Sequence, residues 1–283
     1  NEFLQAMSSV KTRGPIVLEL FAPAGSEFFK KVRKAIPNYN IQWSPDSSDD
    51  EVRHRFGKGY SNRDIENTIQ GALENGCKRF DLFFMIGLPG QIYSSVMEDA
   101  VYLRGLLKEF ERYNNLFPFI SPLAPFVDPG SKVFENPDKY GYKFFYRSLE
   151  EHRQALKRPS WKYMLNYETE WMRRDEVVAS TYDAALAFNQ LKLEHRLITS
   201  EAAEDVESRA KGAINLMRAI DKIVREQGFD SKEIMSLKKE ADKLSSSSIC
   251  QKKELYWPAA SFMRNAPRII WAFATGSEFR YGA

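Results

Sequence analysis

The stretch FDLFFMIGLPGQ, at positions 80–91, decides the fold class. All of its first seven residues except Asp81 are apolar, so side chains on both faces of the strand are apolar. This is typical of a parallel strand that is covered on both faces. The run stops at Gly-Leu-Pro-Gly, and the residues from about Tyr93 to Tyr113 have the pattern of a helix. A covered strand, a glycine-rich turn and a helix together form the repeating unit of parallel α/β proteins.

The same strand and helix order recurs on both sides of this stretch. Strands are predicted at 16–21 and 40–44. A further strand is predicted at 116–123, although it contains prolines, which are unfavourable inside a strand. The helix before the third strand is predicted to begin at Ser61, which with Asp64 resembles a capping box, and to end at Asn75 and Gly76. Such strands pair in parallel through right-handed crossovers, and four of them cannot close a barrel. We therefore predict an α/β fold of parallel strands, in which either strands are missing from this sequence or something else covers the open edges.

The second half of the chain has a different pattern. Residues 131–174 are rich in aromatic side chains, and beyond them apolar residues recur at helical spacing at 175–196, 201–227, 231–244 and 257–273. We predict an α/β unit at 1–130, a connecting segment at 131–174 and an α-helical C-terminal domain at 175–283. The last helix carries basic and aromatic residues, and such a helix can lie on a membrane surface. Because apolar stripes usually face a core, we expect it to dock on its own domain or on a dimer mate instead.

Composition excludes several classes of protein. The 283 residues contain 41 Lys and Arg against 38 Asp and Glu, and a net charge of +3 gives no support to nucleic-acid binding. Two cysteines, Cys77 and Cys250, exclude a disulfide framework and an all-cysteine metal site made by this chain alone. So few cysteines indicate a reducing compartment, so we expect a cytoplasmic protein. No apolar run reaches 18 residues, which argues against a spanning helix.

Polar residues follow the second predicted strand, at the edge where parallel α/β folds bind ligands. Ser44 and Asp46 have short side chains that suit hydrogen bonds to sugar hydroxyls, although such residues are also ordinary helix caps. Lys58 precedes the helix that begins at Ser61, and a lysine there suits a carboxylate ligand. The alternative for Lys58 is a solvated side chain in a tight turn.

The turn after the third strand is the other candidate. Its glycines allow close approach of a flat ligand, and Ile86 and Leu88 flank the place where an aromatic base would lie. The alternative is an ordinary turn, and no Lys-Ser/Thr pair follows to make a phosphate loop. The histidines have no second ligand at metal spacing, so we interpret them as structural or surface residues: His54, His152 and His195.

Three motifs in this order resemble a known family. They are SPDS at 44–47, VRHRFGKGYS at 52–61 and FDLFFMIGLPGQ at 80–91. Together they resemble the second half of the barrel of radical S-adenosylmethionine (radical SAM) enzymes, and the resemblance covers about 14–126. It implies that residues 1–130 form a partial (β/α) TIM-like barrel of parallel strands, a half-barrel. The continuation PLAPFVDPGS, at 122–131, is similar to the subgroup that carries an upstream cobalamin-binding domain.

The resemblance implies roles for individual residues. Ser44 and Asp46 would contact the ribose of S-adenosylmethionine, and Lys58, in preference to Arg53, would hold the methionine carboxylate. Glu19, near the mouth of an earlier strand, would face cofactor or substrate. The adenine would be lined by residues of the third strand end and reached by backbone groups of the fourth strand: Ile86, Gly87, Leu88, Pro89 and Gly90, and Ile120 to Leu123.

One departure from the family limits these expectations. The family holds a [4Fe-4S] cluster with a Cys-x3-Cys-x2-Cys loop, and this sequence has none. We therefore expect a C-terminal fragment of a radical SAM enzyme, inactive alone, with S-adenosylmethionine and the cluster, and cobalamin left open, as cofactors of the full-length parent. Its substrate, small or macromolecular, is unknown, and a homo-oligomer is left open. The alternatives are a protein that has lost the cluster and a non-catalytic helical module for a partner or a membrane surface.

Overall fold

Four parallel strands form the central sheet of the computed structural model, which describes residues 2–10, 14–122, 127–229, 231–234 and 236–237. They are β1 (Ile16–Leu20), β2 (Tyr39–Asp46), β3 (Phe80–Ile86) and β4 (Leu116–Pro122), in the order β1-β2-β3-β4. The α/β class and the parallel pairing are confirmed. Among the described strands β1 and β4 are the sheet edges, so the partial barrel stays a prediction.

Helices connect the strands in the predicted order. The first half of the chain contains α1 (Glu2–Ser8), α2 (Ser26–Ala35), α3 (Asp50–Arg55), α4 (Asn62–Glu74) and α5 (Tyr93–Glu109). The second half contains α6 (Lys132–Glu135), α7 (Leu149–Ala155), α8 (Arg174–Glu194) and α9 (Ser200–Gln227). Short 3-10 turns cover Glu111–Tyr113, Pro137–Tyr140 and Trp161–Tyr163.

The start of α4 confirms a prediction made from local chemistry. The Ser61 hydroxyl accepts a hydrogen bond from the Asp64 amide (3.3 Å), and the Asp64 carboxylate accepts one from the Ser61 amide (2.8 Å). This reciprocal pair is a capping box. After the helix, Gly76 adopts a φ of +82°, the left-handed conformation that glycine tolerates best.

The hydrophobic core covers one face of the sheet. Side chains two apart on a strand share a face, so alternate residues of β2 and β3 lie in the core. These residues are almost fully buried: Tyr39, Ile41, Trp43, Phe80, Leu82 and Phe84. Helices α2 and α4 pack against each other, and the apolar side chains of α5 join the same core. Burial of these side chains contributes about 25 cal/mol per Å² of apolar surface.

The aromatic-rich segment contains a hairpin that the sequence did not predict. Strands β5 (Tyr142–Phe144) and β6 (Tyr167–Thr169) pair antiparallel. Each strand is three residues long, which is too short for an alternating pattern to be recognised. The hairpin carries Tyr142 and Tyr167 into the main core.

Helix α8 packs on the sheet. It contacts β4 and α5, and the Phe188 ring meets the Phe84 ring edge to face at 5.6 Å. Val177, Ala184 and Leu191 of α8 lie in the same core as the strands. The predicted domain limits 131–174 and 175–283 stay predictions. The predicted helix 257–273 and most of 231–244 lie outside the described residues.

None of the helices in the described part of the chain combines the length and the apolar character that crossing a membrane requires.

Candidate functional site

The carboxyl end of β2 has an unusual backbone. The pairing with β3 shifts between Trp43 and Asp46, and Asp46 adopts a φ of +76°. Residues other than glycine rarely adopt this conformation, which costs of order 1–3 kcal/mol and persists only where the surroundings hold it. The strand end is therefore shaped by the contacts around Asp46.

The main contact of Asp46 is Lys58. The Lys58 ammonium lies 2.5 Å from Asp46 Oδ2 and donates to the Ser44 carbonyl at 2.5 Å. The Asp46 side chain is 1% exposed, whereas that of Lys58 is 25% exposed. Burial raises the pKa of Asp46, and the charges of Lys58 and Arg53 oppose that rise. The arrangement holds a partly exposed ammonium at the carboxyl end of β2, where a ligand site is predicted.

Two aromatic residues lie beside this ion pair. The rings of Trp43 and Tyr60 lie 5.5 Å apart. Among the described residues, Trp43 Nε1, the Tyr60 hydroxyl and Asp46 Oδ1 are buried without a hydrogen-bond partner. Burial, together with the Asp46 charge, raises the pKa of Tyr60 to about 12. Sequence reasoning did not single out either residue, because the first is a strand residue and the second lies in a turn.

Arg53 is committed to the loop around the site. It is fully buried and donates to the carbonyls of Tyr60 (3.1 Å) and Ser47 (2.6 Å) and to the Asn62 side chain (2.8 Å), and it also pairs with Asp50. Since no part of its side chain is exposed, Lys58 is the one of the two that faces solvent.

Asp99 of α5 lies under the same loop, and no sequence pattern indicated a role for it. Its Oδ1 accepts from the Ser48 amide (2.6 Å), the Ser48 hydroxyl (2.7 Å) and the Ser47 hydroxyl (3.3 Å). Its Oδ2 has no hydrogen-bond partner within the described residues. Burial raises the pKa of Asp99 to about 7, against the effect of these bonds and of Arg53.

Gln91 holds the turn after β3. Its side-chain oxygen accepts from the amides of Gly87 (2.8 Å) and Leu88 (3.2 Å), and its side-chain nitrogen donates to the Met85 carbonyl (3.0 Å). Both turn amides are therefore occupied, so they do not form an anion cradle. The glycines provide the required conformations, with φ of +93° at Gly87 and +82° at Gly90.

The hairpin covers this turn. The Tyr142 hydroxyl donates to the Gly87 carbonyl at 2.8 Å, and a Cβ atom at Gly87 would lie 2.6 Å from the Tyr167 hydroxyl oxygen. Ile86 and Leu88 are fully buried. An adenine contact with the strand-end residues, which include Pro89 and Gly90, stays a prediction and requires approach from a side that Tyr167 does not cover.

The other predicted positions lie around the sheet. Ile120 is 4% exposed and pairs with Phe84, and Leu123 lies outside the described residues. Glu19 is exposed beside Gln42. Ser44 is partly exposed, next to the Lys58 contact.

Neither the histidines nor Cys77 adds a metal site in the described residues. Cys77 is buried just before β3, at the amino ends of the strands, and burial raises its pKa to about 12. His54 is exposed on α3, His152 contacts the Ser148 carbonyl (2.8 Å), and His195 follows α8. Across the described ranges no three His, Cys, Asp or Glu side chains come together as metal ligands. Cys250 lies outside these ranges.

Comparisons with known proteins give likenesses among solved structures, of which two are described here. No protein-family model and no curated protein matches the chain. It is 16% identical over 46% of its length, with a TM-score of 0.31, to the radical S-adenosylmethionine methyltransferase TsrM from Kitasatospora setae, solved with cobalamin and a [4Fe-4S] cluster. It is 11% identical over 86% of its length, with a TM-score of 0.35, to HydG, a maturase of the [FeFe]-hydrogenase. The chain spans 25% of the TsrM chain and 66% of the HydG chain. Since both TM-scores lie below 0.5, neither likeness carries an argument.

Proposed function

We propose that this chain is part of a radical SAM enzyme and that Lys58 binds the methionine carboxylate of S-adenosylmethionine. The order of the three motifs supports the family. The geometry at the end of β2 supports the site, because it brings the first two motifs into direct contact through Lys58, Asp46 and Ser44.

The two contacts of the Lys58 ammonium, with Asp46 and with Ser44, are the observation that carries this proposal. A lysine in a solvated turn would have a mobile ammonium group. Here the ammonium is held between the Asp46 carboxylate and the Ser44 carbonyl, yet a quarter of the side chain stays exposed. A fixed ammonium loses less conformational entropy when it binds a carboxylate. Asp46 in turn orients the Lys58 ammonium.

The residues around Lys58 fit the polar half of the ligand. The Lys58 ammonium would bind the carboxylate, and the Ser44 hydroxyl would hydrogen-bond a ribose hydroxyl. Asp46 Oδ1, which has no hydrogen-bond partner among the described residues, would accept a second ribose hydroxyl. When bound, S-adenosylmethionine would supply the reactive sulfonium of the parent enzyme, and these residues would hold and orient it.

The cluster does not fit the residues of this chain. The sequence has two cysteines and no Cys-x3-Cys-x2-Cys loop. Cys77 is buried at the amino ends of the strands, away from the candidate site. In this proposal the cluster ligands belong to residues outside the 283, the chain alone is inactive, and no step is derived through the cluster. The segment at 122–131 is the sole support for cobalamin as a further cofactor of the parent.

Iron analysis of the complete gene product tests the family proposal. If the proposal is correct, the complete product contains a Cys-x3-Cys-x2-Cys loop and about four irons per chain after anaerobic purification. The matched control replaces the three loop cysteines with alanine and should contain almost no iron. A complete product without the loop, or with no more iron than the control, would overturn the proposal.

A further inference from the structure

The Asp99 carboxyl is buried beneath the segment that carries Lys58. Its side chain is fully buried, and its three hydrogen bonds all go to Ser47 and Ser48. All three bonds end on Oδ1, and Oδ2 receives no donor from the described residues. Neither an ionised Oδ2 nor the hydroxyl of the neutral acid would have a partner there, and burial of the charge is the costlier of the two.

The bonds from Asp99 continue through the whole segment 47–62. The Asn62 side chain donates to the Ser48 carbonyl (2.9 Å), and Arg53 links Asn62 to the Ser47 carbonyl. The two ends of the segment are therefore tied together directly above Asp99. Lys58 lies within this closed loop, so its position depends on the loop remaining closed.

The charged groups around Asp99 do not fully balance an ionised carboxylate. From α3, Arg53 faces Asp99, but Arg53 is already paired with Asp50. Between α5 and α4, the Tyr102 hydroxyl donates to Glu66 (3.3 Å), which places a second negative charge on the α4 side.

Two further elements complete the surroundings of Asp99. From β2, Asp46 is paired with Lys58. On α5 itself, Glu98 and Arg104 are exposed to solvent. None of these groups supplies a donor to Asp99 Oδ2.

We propose that Asp99 is a pH-dependent latch: the protonated carboxyl keeps segment 47–62 closed, and loss of the proton opens the segment and moves Lys58 away from Asp46. Opening hydrates Asp99 Oδ2, which the closed state leaves without a donor. Because burial raises the pKa of Asp99 to about 7, the change falls near neutral pH. The consequence for ligand binding rests on the proposed function, whereas the movement of the segment does not.

The sign of the effect follows from linkage. The pKa of Asp99 is high when the segment is closed and would approach the ordinary value near 4 when the segment is open. Protonation therefore favours the closed state. For a closed-state pKa near 7, raising the pH from 6 to 8 should increase the population of the open state by about tenfold.

Hydrogen exchange measured by mass spectrometry on peptides from 44–62 tests the latch. After correction for the intrinsic exchange rate, protection of the wild-type segment should fall about tenfold between pH 6 and pH 8. Asp99→Asn cannot ionise and should change by less than about twofold. Asp81→Asn is the matched control, because Asp81 is another buried carboxyl with a raised pKa and bonds to Arg79 and Gln42 instead of the segment. It should keep the wild-type response.

Equal wild-type protection at both pH values would overturn the proposal, and so would an unchanged response in Asp99→Asn. If that variant does not fold, the carboxyl ¹³C resonance of Asp99 in the wild type provides a second test. Its titration midpoint should coincide with the midpoint for loss of protection, and a midpoint below about pH 5 would overturn the latch. Protection that follows pH while S-adenosylmethionine binds Lys58→Met as well as wild type would support the latch and contradict the proposed function.

Discussion

Gly87 shows how much of the site depends on a single residue. Its φ of +93° suits glycine, and its missing side chain makes room for Tyr167. Gly87→Ala should destabilise the protein by about 3 kcal/mol, because the new methyl adds backbone strain and a clash with a buried ring. Urea denaturation followed by circular dichroism measures the loss.

Gly105→Ala is the matched control for this substitution. Gly105 lies on α5 with an exposed backbone, and a Cβ there meets nothing within 4 Å. The change should stabilise the protein by about 0.5–1 kcal/mol through helix propensity. Equal effects of the two substitutions would contradict the tight packing of Tyr167 on the turn.

At this scale, local sequence signals predict part of the candidate site, and its function stays a prediction. Ser44, Asp46 and Lys58 were predicted because residue type and position at a strand end are local signals, and the structure brings them together. Asp99 was not found, because an aspartate on an amphipathic helix looks like any surface residue until the loop above it is placed. Gln91 was noted only as a polar residue after the turn, and its three hydrogen bonds appear only in the folded turn.

At the scale of elements, the β5–β6 hairpin is attached to the strand-end turn by a buried hydroxyl. Tyr142 is 3% exposed, and its hydroxyl donates to the Gly87 carbonyl at 2.8 Å. Tyr142→Phe should cost about 1–2 kcal/mol, because it leaves a buried carbonyl without this donor. Tyr93→Phe, which removes an exposed hydroxyl bonded to Asp183, should cost less than about 0.5 kcal/mol. Thermal or urea unfolding of both variants compares them, and a neutral Tyr142→Phe would contradict the attachment.

Elements with long local patterns were predicted, and those fixed by tertiary contacts were not. Strand β3 and helix α4 were predicted, the first from its apolar run and the second from its capping box. Helix α5 ends at Glu109, four residues before the predicted end, and a 3-10 turn follows. The hairpin was missed because its three-residue strands are stabilised by Tyr142 and Tyr167 in the core and not by a repeating pattern.

At the scale of the whole molecule, buried carboxyls predict the pH dependence of stability. Burial raises the pKa of Asp99 to about 7 and also raises the pKa values of Asp46 and Asp81. A raised pKa favours the folded state while the group is protonated, so this contribution is lost as the pH rises toward and through 7. The free energy of unfolding should therefore decrease from pH 5 to pH 8.

Urea titrations at several pH values measure this decrease. The slope should be smaller in Asp99→Asn, which has no proton to lose at this position. A stability that increases from pH 5 to pH 8, or an equal slope in the variant, would contradict the burial of an ionisable Asp99.

Parallel pairing of four strands was predictable because strands that alternate with helices pair in only one common way. How the open edges of the sheet are completed was not predictable, because β1 and β4 give no sequence signal for a partner. The position of α8 on β4 was also missed, since helical spacing shows that a helix has an apolar face but not which surface that face meets.

The most direct test of the account is whether Lys58 binds S-adenosylmethionine. Ligand-observed NMR on the full chain should give a dissociation constant on the order of 1 mM, because an incomplete site orients its ligand poorly. Lys58→Met should abolish this binding. Lys78→Met, at the amino ends of the strands, should leave it unchanged. Binding at micromolar or lower concentration, binding that survives Lys58→Met, or no binding to the wild-type chain would contradict the account.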